Sequence, residues 1–378
     1  MTGTLPSNPE YPADLPTRRV LDHGFVALVD SMGDDACIVQ AARVSYGKGT
    51  KTVRGDKALI SYLMRHGHTT PFEMVEFKFL MRLPVFVARQ VVRHRTANIN
   101  EYSARYSEVP DRFWAPSLGA IAEQDTVNRQ GRSDHLKELV EALPDAVGPR
   151  TPCSYLPSER AVLVAKNGRG ISRAALLVHE HRADFAAHWS EGAATADMLP
   201  TEAYAYWAEA ILSFFPERRV RLEKIRQSFR DQNESAYALY QRLLDGGVAR
   251  EIARGVLPLT MYTEWYWKMD LHNLFHFLRL RMDPHAQFEV RAYAEAMATF
   301  VKPLVPYAWE AFEEDRLRGA FLSAAEADAL RPQDAAAQRA VLLALHERGY
   351  RSRRLKESCR KLGIDERLVD ELWPPEAT

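Results

Sequence analysis

The chain has 378 residues, 46% of them apolar, enough to bury a large core in one elaborated domain or in two. Fifty Lys and Arg balance fifty Asp and Glu, so the formal net charge is zero, and broad nucleic-acid binding, which rests on neutralising phosphates, is not expected. Three widely spaced cysteines, Cys37, Cys153 and Cys359, make neither a disulfide framework nor a CxxC metal site and suit a reducing cytoplasm.

Residues 1–19 are polar and proline-rich, unlike a secretory signal, and are expected to form a loose arm. No run approaches the roughly 18 apolar residues of a membrane span. Residues 20–30 have strand character with a glycine break, and residues 34–46 and 56–66 carry helical spacing. Residues 75–83 alternate: Val75, Phe77, Phe79, Met81 and Leu83 against Glu76, Lys78 and Arg82, which predicts a strand. Pro84 then suits the first turn of a helix that runs into RHR. Residues 96–108 are expected as a structured loop and 109–135 as irregular. Helices are expected near 173–191, 201–213, 229–245 and 248–254. Residues 258–282 are expected as one long aromatic helix and about 286–302 as another, with Trp265 and Trp267 in the core. The alanine-rich, charged tail from about 323 predicts three short helices. Helices outnumber strands without βα alternation, so the fold class is α+β. Neither GxGxxG after a strand nor GxxxxGK[ST] occurs.

The chemistry gathers after Pro84. As a continuous helix, that segment would put Gln90, Arg93 and His94 on one face, with Arg89, Arg93 and Arg95 crowding like charges that a bound anion would offset. A solvated basic helix end is the plainer alternative. The following NEYSARY weighs against it. Within five residues it supplies a carboxylate (Glu101), a hydroxyl (Ser103) and a further guanidinium (Arg105), groups suited to a phosphate and a nucleobase.

RHRTANINEYSARYS (93–107) closely resembles the signature of the flavin-dependent thymidylate synthases, RHR followed by seven residues and a serine. HGHTTPFE (66–73), PVFVARQVVRHR and residues 250–294 resemble three further blocks of that family in the same order, so that 20–118 and 229–315 are covered. The resemblance implies helices packed on a twisted, mainly antiparallel sheet. It also implies a homotetramer with shared active sites, and conversion of dUMP to dTMP with methylenetetrahydrofolate as carbon donor and NADPH-reduced FAD as hydride source. By the same resemblance, Thr70, Arg93, His94, Arg95, Glu101, Asp270, Leu271, His272 and His276 contact FAD. Gln90, Arg93, Glu101, Tyr102, Ser103, Ala104, Arg105, Arg254 and Arg281 hold the nucleotide, and Arg281 is the catalytic cation that favours negative charge on the uracil ring. The loop 101–105 is expected to reach a neighbouring subunit's site.

The family tends to have Asn and Arg where this chain has Asp270 and His272, a version that resembles its longer members; it usually has Ser where this chain has Asn98, and that change leaves room for a changed nucleotide preference. Two alternatives therefore stand beside the leading reading: a flavoenzyme that modifies C5 of UMP or makes a hydroxymethyl product, and a retired nucleotide-binding homologue. A protein nucleophile is not required; the one Pro-Cys, Pro152-Cys153, lies outside the resemblance. No metal is expected, although His272 and His276 are four apart and His179, Glu180, His181 and His188 cluster. The domain organisation expected is an arm (1–19), a core (20–132 and 229–320), an inserted, mostly helical segment (133–228) and a helical C-terminal extension (321–378).

Overall fold

The computed structural model describes residues 12, 14–44, 53–124, 132–133, 198–212, 216–319, 334–348, 350, 352–365 and 367–373. The expected helix at 173–191, Pro152-Cys153 and the histidine group at 179–188 lie outside the described residues. The chain divides into two compact units, Met1–Asp315 and Arg316–Thr378.

In the larger unit, β1 (Thr17–Val20), β2 (Gly24–Met32), β3 (Glu76–Pro84) and β4 (Asn98–Glu101) join the later strand β7 in one sheet; β5 (Glu123–Gln124) and β6 (Arg132–Ser133) form a separate ribbon. The sheet order is β1-β2-β3-β7-β4, and every pairing is antiparallel. Residues 17–19, expected in the arm, are thus strand. The centre of the sheet is β3 against β7 (Tyr262–Asp270), paired without interruption from Glu76↔Asp270 to Pro84↔Tyr262. Phe77, Phe79, Met81 and Leu83 turn to one face with Trp265, Trp267 and Met269, all buried. Burying that much apolar surface favours the pairing, at about 1.5–3 kcal/mol for each large side chain.

The single long helix expected over 258–282 is incorrect. Residues 262–270 are strand β7, and only Leu271–Arg281 (helix α7 in chain order) is helical. The stretch Thr263, Trp265, Trp267, Met269 alternates buried with the more exposed Glu264, Tyr266, Lys268 and Asp270, a period of two rather than 3.6. Asp270 marks the switch: its carboxylate accepts from the Asn273 backbone N–H at 2.9 Å as the N-cap of α7.

Helices α1 (Asp35–Val44), α2 (Val53–His66) and α3 (Val85–Val91) come before the long break in the described residues. The α3 helix is shorter than expected. Val92 is its C-cap, so Arg93 and His94 lie in the turn beyond it and do not share a helix face with Gln90. Consecutive β-branched Val91 and Val92 followed by repelling cations make a poor continuation. Its first amides, those of Val85 and Phe86, donate to the Met261 and Leu259 carbonyls, which ties α3 to the entry of β7. Residues 98–101, expected in a loop, pair as edge strand β4 with β7.

After the break come α4 (Pro200–Leu212), α5 (Pro216–Asp245) and α6 (Arg250–Ala253). The α5 helix runs unbroken through the expected boundary at 228/229. Its Asn233 donates to the Trp114 carbonyl and accepts from the Thr260 hydroxyl, fixing the helix against the segment that leads into β7. Helices α8 (Phe288–Leu304) and α9 (Pro306–Phe312) follow α7.

The smaller unit holds α10 (Ala335–Glu347), α11 (Ser352–Leu362) and α12 (Arg367–Leu372), the three short helices expected of the tail. They enclose their own core of Leu342, Leu355, Cys359, Ile364 and Val369.

Candidate active site

Strand β7 carries a cleft at each end. The first, about 370 Å³, is lined by Arg93, His94, Arg95, Thr96, Met269, Asn273, His276, Leu280 and Arg281. The second, about 300 Å³, is lined by Glu101, Tyr102, Ser103, Ala104, Val109, Arg254, Met261, Tyr262 and Thr263. Met269 and Thr263 are six strand residues apart, so the two clefts are roughly 20 Å from each other along β7.

In the first cleft, α7 supplies Asn273, His276, Leu280 and Arg281, and the turn after α3 supplies Arg93 to Thr96. The turn is pinned by the His94 backbone N–H, which donates to the Val91 carbonyl at 3.0 Å. The His94 ring packs edge-on to Phe277, centroids 4.9 Å apart, and Phe277 packs at 4.9 Å on Trp267 of the core. The basic pair is therefore carried on the hydrophobic interior. Arg281 Nε donates to His94 Nε2 at 3.1 Å. Since a guanidinium can only donate, that ring nitrogen is the lone-pair acceptor and the imidazole is neutral. Burial, then Arg281 and His276, push the His94 pKa down to about 4. Arg281 is itself lowered, by burial first and then by Arg93. Among the described residues that line this cleft there is no carboxylate. Half-buried Arg281 and exposed Arg93 and Arg95, with no carboxylate among the lining residues and apolar Met269 and Leu280 beside them, fit an anion that also carries an apolar part.

The second cleft has mixed charge. Glu101 ends β4, and its Oε1 accepts from the Thr263 hydroxyl at 2.6 Å. Ala104 is buried with Val109, Tyr240 and Ala253, which anchors the 101–105 loop to α5 and α6. Tyr102 donates to the Glu108 carbonyl at 2.9 Å. Exposed Arg254 follows α6 and lines the opposite side. On the floor, the Tyr262 hydroxyl donates to Asp22, whose other oxygen accepts from the Ala115 N–H at 2.9 Å. Burial, then Tyr293 and Asp22, raise the Tyr262 phenol well above its usual pKa, so it stays a donor.

The structure thus brings Arg93, His94, Arg95, His276 and Arg281 together, and separately Glu101, Tyr102, Ser103, Ala104 and Arg254. Six other expected site residues line neither cleft. Exposed Thr70 begins a short 3₁₀ segment. Gln90 donates to Gln287. Arg105 pairs with Glu251 at 3.3 Å. Asp270 caps α7, Leu271 is buried with its N–H donated to the Val75 carbonyl, and His272 is half-buried. Asn98 sits opposite Lys268 on the edge strand and lines neither cleft. Thr263 and Tyr262 are site residues that a helical 258–282 does not single out; the two-residue alternation of their segment is the signal for them. Asn273 was signalled by its spacing to His276 and Leu280, three and then four residues apart on one helix face.

A sheet flanked by helices, with an arginine-lined cleft built from RHR and an opposing helix, defines a class of proteins that bind an anionic ligand at the end of the sheet. A protein-family model described as thymidylate synthase complementing protein matches residues 27–159 and 178–307, so the matched ranges take in most of the segment 133–228. A flavin-dependent thymidylate synthase of Thermus thermophilus is 46% identical over 322 residues, 85% of this chain and 86% of that one. One of Rickettsia conorii is 43% identical over 305 residues, 81% of each chain. Among solved structures, the UMP/dUMP methylase PolB of Streptomyces cacaoi bound with 5-Br dUMP is 27% identical with a TM-score of 0.52, over 80% of this chain and 100% of that one. The chain belongs to the flavin-dependent thymidylate synthase family.

Proposed function

We propose that this protein makes dTMP from dUMP, taking the carbon from methylenetetrahydrofolate. The observation that carries the reading is the first cleft, where the family's RHR turn, with Arg93 and Arg95 exposed, meets half-buried Arg281. Arg93, His94, Arg95 and His276 would hold FAD there, the guanidiniums on its phosphates. Bound flavin, once reduced by NADPH, supplies the hydride that turns the transferred methylene into a methyl group. Arg281 places a desolvated cation where the uracil ring gains negative charge, which makes C5 nucleophilic. Gln90, Tyr102, Ser103, Arg105 and Arg254 hold the nucleotide, with Glu101 shared between nucleotide and flavin. Thr70, Asp270, Leu271 and His272 complete the flavin contacts at the backbone or rim.

Two clefts about 20 Å apart along β7 cannot serve one small nucleotide within a single chain. This supports the reading that the active site is shared, the 101–105 loop of one subunit completing the arginine cleft of another in a homotetramer. For the domain organisation, the C-terminal extension is kept as a separate helical unit, whereas strand β1 starts inside the expected arm, helix α5 crosses the 228/229 boundary and the family match takes in most of 133–228, so the core is extended over those segments. A cytoplasmic location accords with the dispersed cysteines; no helix among the described residues is long and apolar enough to cross a membrane. Purified protein is expected to carry yellow flavin that NADPH bleaches under anaerobic conditions, and colourless protein that takes up no FAD would contradict the reading.

The likeness to a UMP/dUMP methylase favours UMP as a second substrate; Asn98, in place of the family's serine, lines neither cleft of its own chain. Turnover of dUMP and UMP by the wild type and Asn98→Ser decides this. Identical preference in both removes any part for Asn98.

A further inference from the structure

We propose that Thr263 is a positioning residue that holds the Glu101 carboxylate back against the sheet and so sets nucleotide affinity in the second cleft. The inference rests on the nucleotide role proposed for that cleft.

The register builds the contact. Glu101 of β4 lies opposite Trp265 of β7, so Thr263, two residues along, is its diagonal neighbour on the same face. Pairing extends one residue past the strand, with the Tyr102 N–H donating to the Glu264 carbonyl at 2.8 Å, and then the chain leaves as the 103–105 loop. Glu101 is therefore the last side chain that the sheet can orient before the loop begins. Thr263 is only 7% exposed, and its branched Cβ restricts its rotamers, so its hydroxyl is held in place before any ligand arrives. It donates to Glu101 Oε1 at 2.6 Å.

The consequence is electrostatic and geometric. Glu101 is exposed on an edge strand and shares the cleft with Ser103 and Arg254. A glutamate free to turn there could swing toward the guanidinium, where its charge would repel a phosphate. Tied by one oxygen to the buried hydroxyl, it leaves the Arg254 side open to an anion. Its second oxygen stays as an acceptor for a donor on the ligand, such as a ribose hydroxyl. A threonine that merely filled space would be replaced equally well by valine, which has the same shape and no hydroxyl.

Thr263→Val and Thr263→Ser separate these roles, with binding of dUMP and steady-state turnover measured on the full-length protein beside the wild type. The Val variant is expected to weaken dUMP binding and raise its KM about tenfold, the scale of one hydrogen bond to a charged group. Its kcat should change little, and the Ser variant should match the wild type. Val binding dUMP as the wild type does, or Ser impaired as much as Val, would overturn the proposal. Should Val fail to fold, Thr263→Ala removes the same hydroxyl without crowding and carries the same expectation. A wild type that binds no dUMP refutes the nucleotide role of the cleft itself, and is distinct from variants that leave measurable binding unchanged.

Discussion

The two clefts at the ends of β7 use arginine in opposite ways. In the first, guanidiniums gather on a turn and a helix backed by Phe277 and Trp267, and no described carboxylate on the walls answers their charge. In the second, exposed Arg254 shares the walls with a carboxylate, Glu101, that is tied to the Thr263 hydroxyl, and on the adjoining surface Arg105 pairs with Glu251 and Arg250 with Glu108. Repulsion held in place by a hydrophobic core is a charge reserved for a ligand. Charges matched on a loop are fitted for adaptable gripping. On this account the first cleft does the chemistry and the second supplies affinity.

Removing the reserved charge is the strongest way to break this comparison. Arg281→Ala is expected to cut dTMP formation about 100-fold or more while leaving the fold intact, the scale seen when a preorganised charge is lost from a catalytic site. Measuring kcat with circular dichroism as the control checks it, and a loss below tenfold would assign the activating charge elsewhere. A smaller and different effect is expected in the second cleft. Arg254→Ala should raise the dUMP KM about 10- to 100-fold, as for lost bonds to a phosphate, with flavin content unchanged. A kcat defect at unchanged KM would erase the distinction between the clefts.

The neutral His94 sharpens the comparison through pH. Its pKa is about 4 when folded against an ordinary value near 6.5, so below 6.5 the unfolded chain binds the proton more readily than the folded one. Stability is therefore expected to fall as pH drops from about 6.5 to about 4. Replacing His94 with Gln should flatten that part of the melting curve against pH, and an unaltered slope would count against a depressed His94. The smallest effect belongs to the matched charges. Glu251→Gln, which opens the exposed pair with Arg105, should change unfolding free energy by less than about 1 kcal/mol in urea titration.

Much of this was legible in the residues. The alternation at 75–83 gave strand β3, and the RHR block with its ordered companions led to the family. What escaped was the boundary inside 258–282. Trp265 and Trp267 suit either a helix or a strand interior; the two-residue alternation over 263–270 favours strand, and pairing with β3, some 180 residues earlier in the chain, fixes it. The same misreading hid Tyr262 and Thr263. The split into two clefts was equally beyond sequence, because spacing along the chain does not say which end of a strand a loop and a helix will meet.

The most direct test of the central claim is the mass of the product formed from dUMP with FAD, NADPH and methylenetetrahydrofolate, for the wild type and Arg281→Ala together. The account predicts that the wild type adds one methyl group and that Arg281→Ala, still holding flavin, adds almost none. A wild type that leaves dUMP unchanged while its bound flavin is reduced by NADPH would contradict it.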